Sequence, residues 1–202
     1  MQANANSRLE AFCDGVFAIA LTLLIIDIKP PETAGIHSTA DLWRALGHLT
    51  PSILAFLMSF GVVLITWVNH HNALKAVIAS SPSFIYANGL LLLTVVFIPF
   101  PTALLGAYLW TDHAAPAVVL YDAVLALQAL AWLFVCGAAL NNRLVDERAI
   151  ASMRERRRSG IAACVLYGLF ALFAFWMPIV VAVLTMATWI FWLAFGFRRH
   201  AA

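Results

Sequence analysis

Residues 160–197 read GIAACVLYGLFALFAFWMPIVVAVLTMATWIFWLAFGF, 38 positions with no Asp, Glu, Lys or Arg. One straight helix of that length would run about 57 Å at about 1.5 Å per residue. The hydrocarbon core of a bilayer is only about 30 Å thick. Met177-Pro178 stands near the middle, and proline cannot continue a helix. The stretch therefore predicts two spans, 160–177 and 178–197, joined by a tight hairpin. N-terminal to it lies the only strongly charged stretch, 141–159, and before that an apolar run over 116–140. A short polar break, Thr111-Asp112-His113, separates this from a run over 84–109, where Pro99 and Pro101 predict a kink or an early end. Earlier runs cover 49–70, closed by Asn69-His70-His71-Asn72, and 9–28, closed by Lys29-Pro30-Pro31. Residues 32–47 mix polar and apolar types and read as an outer loop with a short surface helix. The fold class is an all-α membrane protein of six transmembrane helices, with 1–202 forming a single domain.

Composition agrees. Hydrophobic residues make up 63% of the 202 positions and charged residues 11%. Soluble domains carry about 45–50% and about 25%. The mean hydropathy is +0.90. Such a chain cannot cover itself with polar surface, which disfavours a cytosolic enzyme, a nucleic-acid-binding domain or a disordered tail. Cys13, Cys136 and Cys164 are odd in number and sit in apolar surroundings, as buried thiols do. The first run does not read as a cleaved signal peptide, since it ends in Asp27-Ile28-Lys29-Pro30-Pro31 and not at a small-residue cleavage site.

Six spans put both termini on one side. Arg8, Lys75, the six arginines from Arg143 to Arg158, Arg198 and Arg199 then share one face, ten residues against Lys29 and Arg44 on the other. The positive-inside bias makes the ten-residue face cytoplasmic. The 141–159 loop reads as an anchor drawn to anionic lipid headgroups. The host membrane is the cell membrane.

Polar residues inside spans are costly and need partners. Asp14 stands about one and a half turns into the first span. It reads as an interfacial carboxylate, a fixed structural bond or an ion-path group. Its candidate partners are Arg8, Trp67, His70 and His71. Trp67 reads as an aromatic-belt residue, or, if buried, as an indole that needs an acceptor such as Asp14. Glu10 reads as a helix-end carboxylate near the N-terminal dipole. His70 and His71 point about 100° apart on a helix, so they do not by themselves share a metal. Asp122 reads as an interfacial residue with Tyr121 or water for company, or as a transport group, and Gln128 as a cross-helix hydrogen-bonder. No Gly-rich phosphate loop, paired-cysteine motif, G-x-S-x-G, T-V-G-Y-G-like filter or nucleophile–base set is present. No cofactor, resident metal, nucleic acid or enzyme activity is expected.

Three segments carry a resemblance. Residues 8–24 read RLEAFCDGVFAIALTLL. Trp67-Val68-Asn69-His70-His71 follows on the second run, and Asn88, residues 90–96 and Pro99-Phe100-Pro101-Thr102 on the third. Together they resemble the transmembrane protein 175 family, the endolysosomal potassium channels and their prokaryotic relatives. The first carries an arginine, then Phe12-Cys13-Asp14 where the family has Phe-Ser-Asp. A thiol bonds more weakly than a hydroxyl, so Cys13 is a departure. The resemblance covers the first half of the chain; the last three spans match in hydropathy only.

What the resemblance implies is a potassium-permeable channel, a passive leak with modest selectivity for potassium over sodium. The first helix would line the pore. Ile19 would form the narrowest ring as a hydrophobic gate, with Thr22 facing the pore and Leu23 and Ile26 continuing the stripe. Arg8, Phe12, Cys13, Asp14, Trp67, His70, His71 and Asn88 would form a structural polar network. Ile19, Leu23 and Ile26 are spaced i, i+4, i+7 and share a face. In a span that is apolar nearly all round, that spacing also fits lipid or helix packing. One pore helix per chain cannot enclose a pore, so a homotetramer follows by analogy with relatives that carry two such repeats and act as dimers. Gly15, Ala18 and Ala20 would permit close helix approach. The rival reading is a proton-coupled secondary transporter using Asp14 and the His70/His71 pair, against which stands the lack of inverted repeats.

Overall fold

A computed structural model describes residues 6–200, with side chains described through Phe191. The described residues are helical apart from turns and one isolated bridge between Val77 and Val145. The helices are α1 (Ser7–Leu23), α2 (Thr39–His48), α3 (Thr50–Leu74), α4 (Pro82–Phe97), α5 (Pro99–Tyr108), α6 (Ala114–Asn141), α7 (Ile150–Phe173) and α8 (Pro178–His200). A 3₁₀ turn, Leu24–Asp27, extends α1 to the prolines. Four stretches are long and apolar enough to cross a membrane: Ser7–Asp27, Thr50–Leu74, Pro82–Tyr108 and Ala114–Asn141. They match the first four predicted spans to within a few residues.

The third stretch is interrupted where the sequence places its prolines. Pro99 has no N–H for the Val95 carbonyl, which instead accepts from Ile98 N at 3.2 Å. Thr102 then bonds Ile98 O through both its N–H (3.1 Å) and its hydroxyl (2.7 Å). α4 packs on α1 and α6, and α5 packs on α3 and α6. At the α3–α5 contact a side chain at Gly106 would come within 2.9 Å of Ser52 Cα. Only glycine lets those two backbones meet, the small-residue packing of helices in lipid.

The loop reading of 141–159 needs correction. The charged stretch 141–159 is not all loop: α7 begins at Ile150, ten residues before the apolar run. Arginine and glutamate are good helix formers, so the helix starts in charge and runs on into the apolar stretch. The connection before it is tight. Arg143 adopts φ 54°, and Leu144 N donates to Ala139 O at 2.9 Å in a left-handed helix stop. A non-glycine residue there costs roughly 1–2 kcal/mol. α7 lies along α6, and a side chain at Gly160 would meet Trp132 and Leu133 at 2.9 Å. The sixth predicted span, 178–197, falls within α8, its last six side chains lying outside the described ones.

One end of the bundle gathers the basic segments. Asn6 Nδ2 donates to Val77 O (2.9 Å), Ile78 N to Leu144 O (2.8 Å) and Asp146 N to Ala76 O (3.1 Å). The start of α1, the α3–α4 turn and the α6–α7 turn are thereby tied together. α2 follows α1 in the chain and packs on α3, started by Ser38, whose hydroxyl accepts from Asp41 N at 3.1 Å.

Candidate functional site

α1 has two unlike faces. At about 100° per residue, Arg8, Phe12, Gly15, Ile19, Thr22, Leu23 and Ile26 fall on one side, all exposed in the single chain. Ile19 is 59% and Ile26 64% exposed. Cys13, Phe17, Ala20 and Leu24 fall on the other side and are at most 1% exposed. The buried side packs on α3 and α4. Thr22 stays on the open face, its hydroxyl donating to Ile19 O at 2.8 Å.

Polar groups hold the closed face. Trp67 Nε1 donates to Asp14 Oδ1 at 2.8 Å. The Trp67 indole stacks on the His71 ring, centroids 5.7 Å apart. His71 Nδ1 lies 3.3 Å from Glu10 Oε1, within ion-pair distance but without hydrogen-bond alignment. His70 lies against the Phe17 ring at 5.5 Å and pairs with Asn88 on α4, Nε2 to Oδ1, at 2.7 Å. Asn88 Nδ2 donates to Phe84 O at 2.7 Å, so its Oδ1 is the acceptor and His70 Nε2 carries the proton. Trp67, His70 and His71 are spaced i, i+3, i+4 and reach out from one side of α3. The adjacent histidines serve different helices, His71 reaching α1 and His70 reaching α4.

Arg8 and Phe12 stand apart from this set, exposed on the open face with Ile19. Arg8 forms no ion pair with a described residue. Cys13 is fully buried in the apolar core. Glu10, whose sequence position suggests only a helix-end carboxylate, joins the site through His71. Donor atoms of Glu10, Asp14 and His71 lie within 4.8 Å of one another. Asp14 Oδ1 is already engaged by Trp67, and Glu10 and His71 face each other, so the groups have partners without an ion.

Two further polar clusters lie deeper. Ser59 Oγ is 2.6 Å from Thr102 Oγ1 and 3.0 Å from Tyr121 Oη, all buried. The Thr102 proton goes to Ile98 O, so Ser59 donates to Thr102 and Tyr121 donates to Ser59. Asp122 is fully buried and accepts from Thr185 on α8 at 2.9 Å. The interfacial reading of Asp122 is therefore corrected: it is enclosed in the bundle and pairs with an α8 hydroxyl, while the Tyr121 hydroxyl bonds Ser59 instead. Gln128 is buried, its Nε2 without a described partner.

The helices that carry the closed face lie within a stretch that matches known proteins. Residues 8–99 match the family model for the endosomal/lysosomal potassium channel TMEM175. A potassium channel of Chamaesiphon minutus is 44% identical over 150 residues, covering 74% of this chain and 69% of the relative. The chain belongs to the TMEM175 family. A potassium channel of Streptomyces collinus is 43% identical over 159 residues, covering 76% of each. The crystal structure of a lysosomal potassium-selective channel TMEM175 homolog from Chamaesiphon minutus superposes with a TM-score of 0.84 at 34% identity. That match covers 94% of this chain and 96% of the other. The TMEM175 sequence match contains the whole site on α1, α3 and α4, and the structural match carries the fold through α6–α8. The protein is thus an all-helical, multi-pass membrane protein of an ion-channel family and not of an enzyme family.

Proposed function

We propose that this TMEM175 family member is a potassium channel of the cell membrane, a passive leak assembled as a homotetramer around four copies of α1. The observation that carries this is the open stripe on α1. Gly15, Ile19, Thr22, Leu23 and Ile26 have no covering element, while the opposite face is hydrogen-bonded to α3 through Asp14 and packs on α3 and α4. A helix held this way presents one constant surface to an axis. A cyclic assembly is the common way for several chains to enclose one. Six spans, with α7 and α8 as the last two and both termini cytoplasmic, complete the subunit as one channel domain.

The mechanism follows from an apolar constriction. A ring of Ile19 side chains offers a cation no charge and no carbonyl cage. When narrow it closes by dewetting. When wide it passes ions that keep part of their hydration, so the preference for potassium over sodium is modest. Thr22, one turn further along, places a hydroxyl oxygen next to that ring. Asp14, His70 and His71 point away from the stripe and are bonded within the subunit, which speaks for a scaffold role.

Purified protein in liposomes under a potassium gradient tests this. Electrogenic, non-saturating flux is expected. Saturating, electroneutral, proton-dependent flux would place the protein among carriers instead.

A further inference from the structure

A cavity of ≈ 1270 Å³ opens at the inner ends of α6 and α7, far from the α1 stripe along the chain. Arg143, Arg148, Arg154, Arg157 and Arg158 line it, against Asp146 and Glu147. Asp146 Oδ1 already accepts from Arg148 N at 2.9 Å, capping a short 3₁₀ turn. None of the five arginines forms a salt bridge with a described residue. The lining is therefore strongly cationic, in a concave site and not along a flat surface.

Two features show that this is more than a basic surface loop. First, the charged residues sit on helix. Ile150, Arg154, Arg157, Arg158 and Ile161 are spaced i, i+4, i+7, i+8, i+11 on α7, so one face of that helix turns into the cavity. The same face continues past the cavity as Ile161, Val165, Leu169 and Leu172, between 46% and 57% exposed. An arginine-bearing face thus runs without interruption into an exposed apolar track along the same helix. Second, Arg143 takes its place in the lining by adopting φ 54° at a helix stop where glycine is favoured. Backbone strain held at one cationic residue is the kind of outlier that points to a site.

We infer that this cavity binds the headgroup of an anionic phospholipid of the adjoining leaflet, with its acyl chains lying along Ile161, Val165, Leu169 and Leu172. A soluble anion would use the arginines but leave the apolar track without purpose. A zwitterionic headgroup would bring a cation into a lining with an excess of positive charge. Basic pockets at the cytoplasmic ends of transmembrane helices bind acidic headgroups by this chemistry. α7 packs on α6 and α8 while α1 packs on α3 and α4, so the cavity lies on a different side of the subunit from the proposed pore.

The test is thermal stability of the purified full-length channel in neutral detergent. The probes are short-chain phosphatidylglycerol, short-chain phosphatidylcholine of the same chain length, and inorganic phosphate. Phosphatidylglycerol is expected to raise Tm by several degrees, and the other two to leave it unchanged. The Arg154→Gln/Arg157→Gln double variant should lose that shift, and Arg44→Gln at the opposite end should keep it. Arg143→Gly gives an independent reading, because relief of the left-handed strain should hold or raise Tm without lipid while the lipid-dependent shift falls by half or more. That arm decides the matter if the double variant does not fold. An equal shift with phosphatidylcholine would overturn the inference, as would a shift with inorganic phosphate alone, which would mark a soluble-anion site. A phosphatidylglycerol shift unchanged by both sets of arginine substitutions would overturn it as well.

Discussion

The buried and exposed faces of α1 alternate within each turn of one helix, and the same apolar residue types supply both. Cys13, Phe17, Ala20 and Leu24 are enclosed. Phe12, Ile19 and Ile26 are more than half exposed. Hydrophobicity does not separate them, since lipid tails are as apolar as a leucine side chain and give little drive for one face over another. What separates them is polar. Asp14 and Glu10 stand on the closed side, where Trp67 and His71 of α3 meet them. Two carboxylates and their partners orient a helix that hydropathy would leave free to rotate.

This comparison can be broken by substitutions on each face. On folded stability the largest loss is expected from Asn88→Leu, which strands the buried His70 Nε2 donor. An unsatisfied buried group costs about 1–3 kcal/mol, so Tm in detergent should fall clearly. An unchanged Tm would show that the pair does not fasten α3 to α4. Asp14→Ala removes the acceptor of a half-buried bond and should cost about 1 kcal/mol. Asp14→Asn keeps an acceptor oxygen and should cost less. If Asp14→Asn assembles normally but changes permeation, Asp14 belongs to the ion path and the two faces are not functionally distinct. Cys13→Ser should shift stability by less than about 1 kcal/mol, because the new hydroxyl can bond back to the Leu9 carbonyl one turn earlier. Ile19→Asn should change stability least, within about 0.5 kcal/mol for an exposed position. It should nevertheless raise single-channel conductance several-fold and reduce potassium-over-sodium selectivity in bilayer recordings. A silent Ile19→Asn, with assembly intact, would remove the open stripe from the pore.

Much of this architecture was legible in the sequence, for reasons particular to each element. The first four crossings stand out because charge is nearly absent between sharp polar breaks such as Thr111-Asp112-His113. The break before Pro99 was legible because a missing N–H is a local fact. The ten-residue charged start of α7 was not, since hydropathy cannot tell a charged helix from a charged loop. An acceptor for Trp67 could be named from chemistry alone, because a buried indole needs one and Asp14 was near in depth. The Glu10–His71 and Asp122–Thr185 pairs could not, since each depends on the rotation of two helices about their own axes. The same holds for Ile19, which periodicity places on a face without saying whether that face is covered.

The break at Ile98 also describes the subunit as a mechanism of rods and pins. The third crossing is two short rods, 82–97 and 99–108, joined at one residue. The first is bedded against α1 and α6, the second against α3 and α6. At the pin, Thr102 clamps Ile98 O, and the Tyr121–Ser59–Thr102 proton chain fixes the second rod to α3 and α6. A displacement of the outer rod is thus shared with α3, and one of the inner rod with α1, although covalently they are one strand of chain.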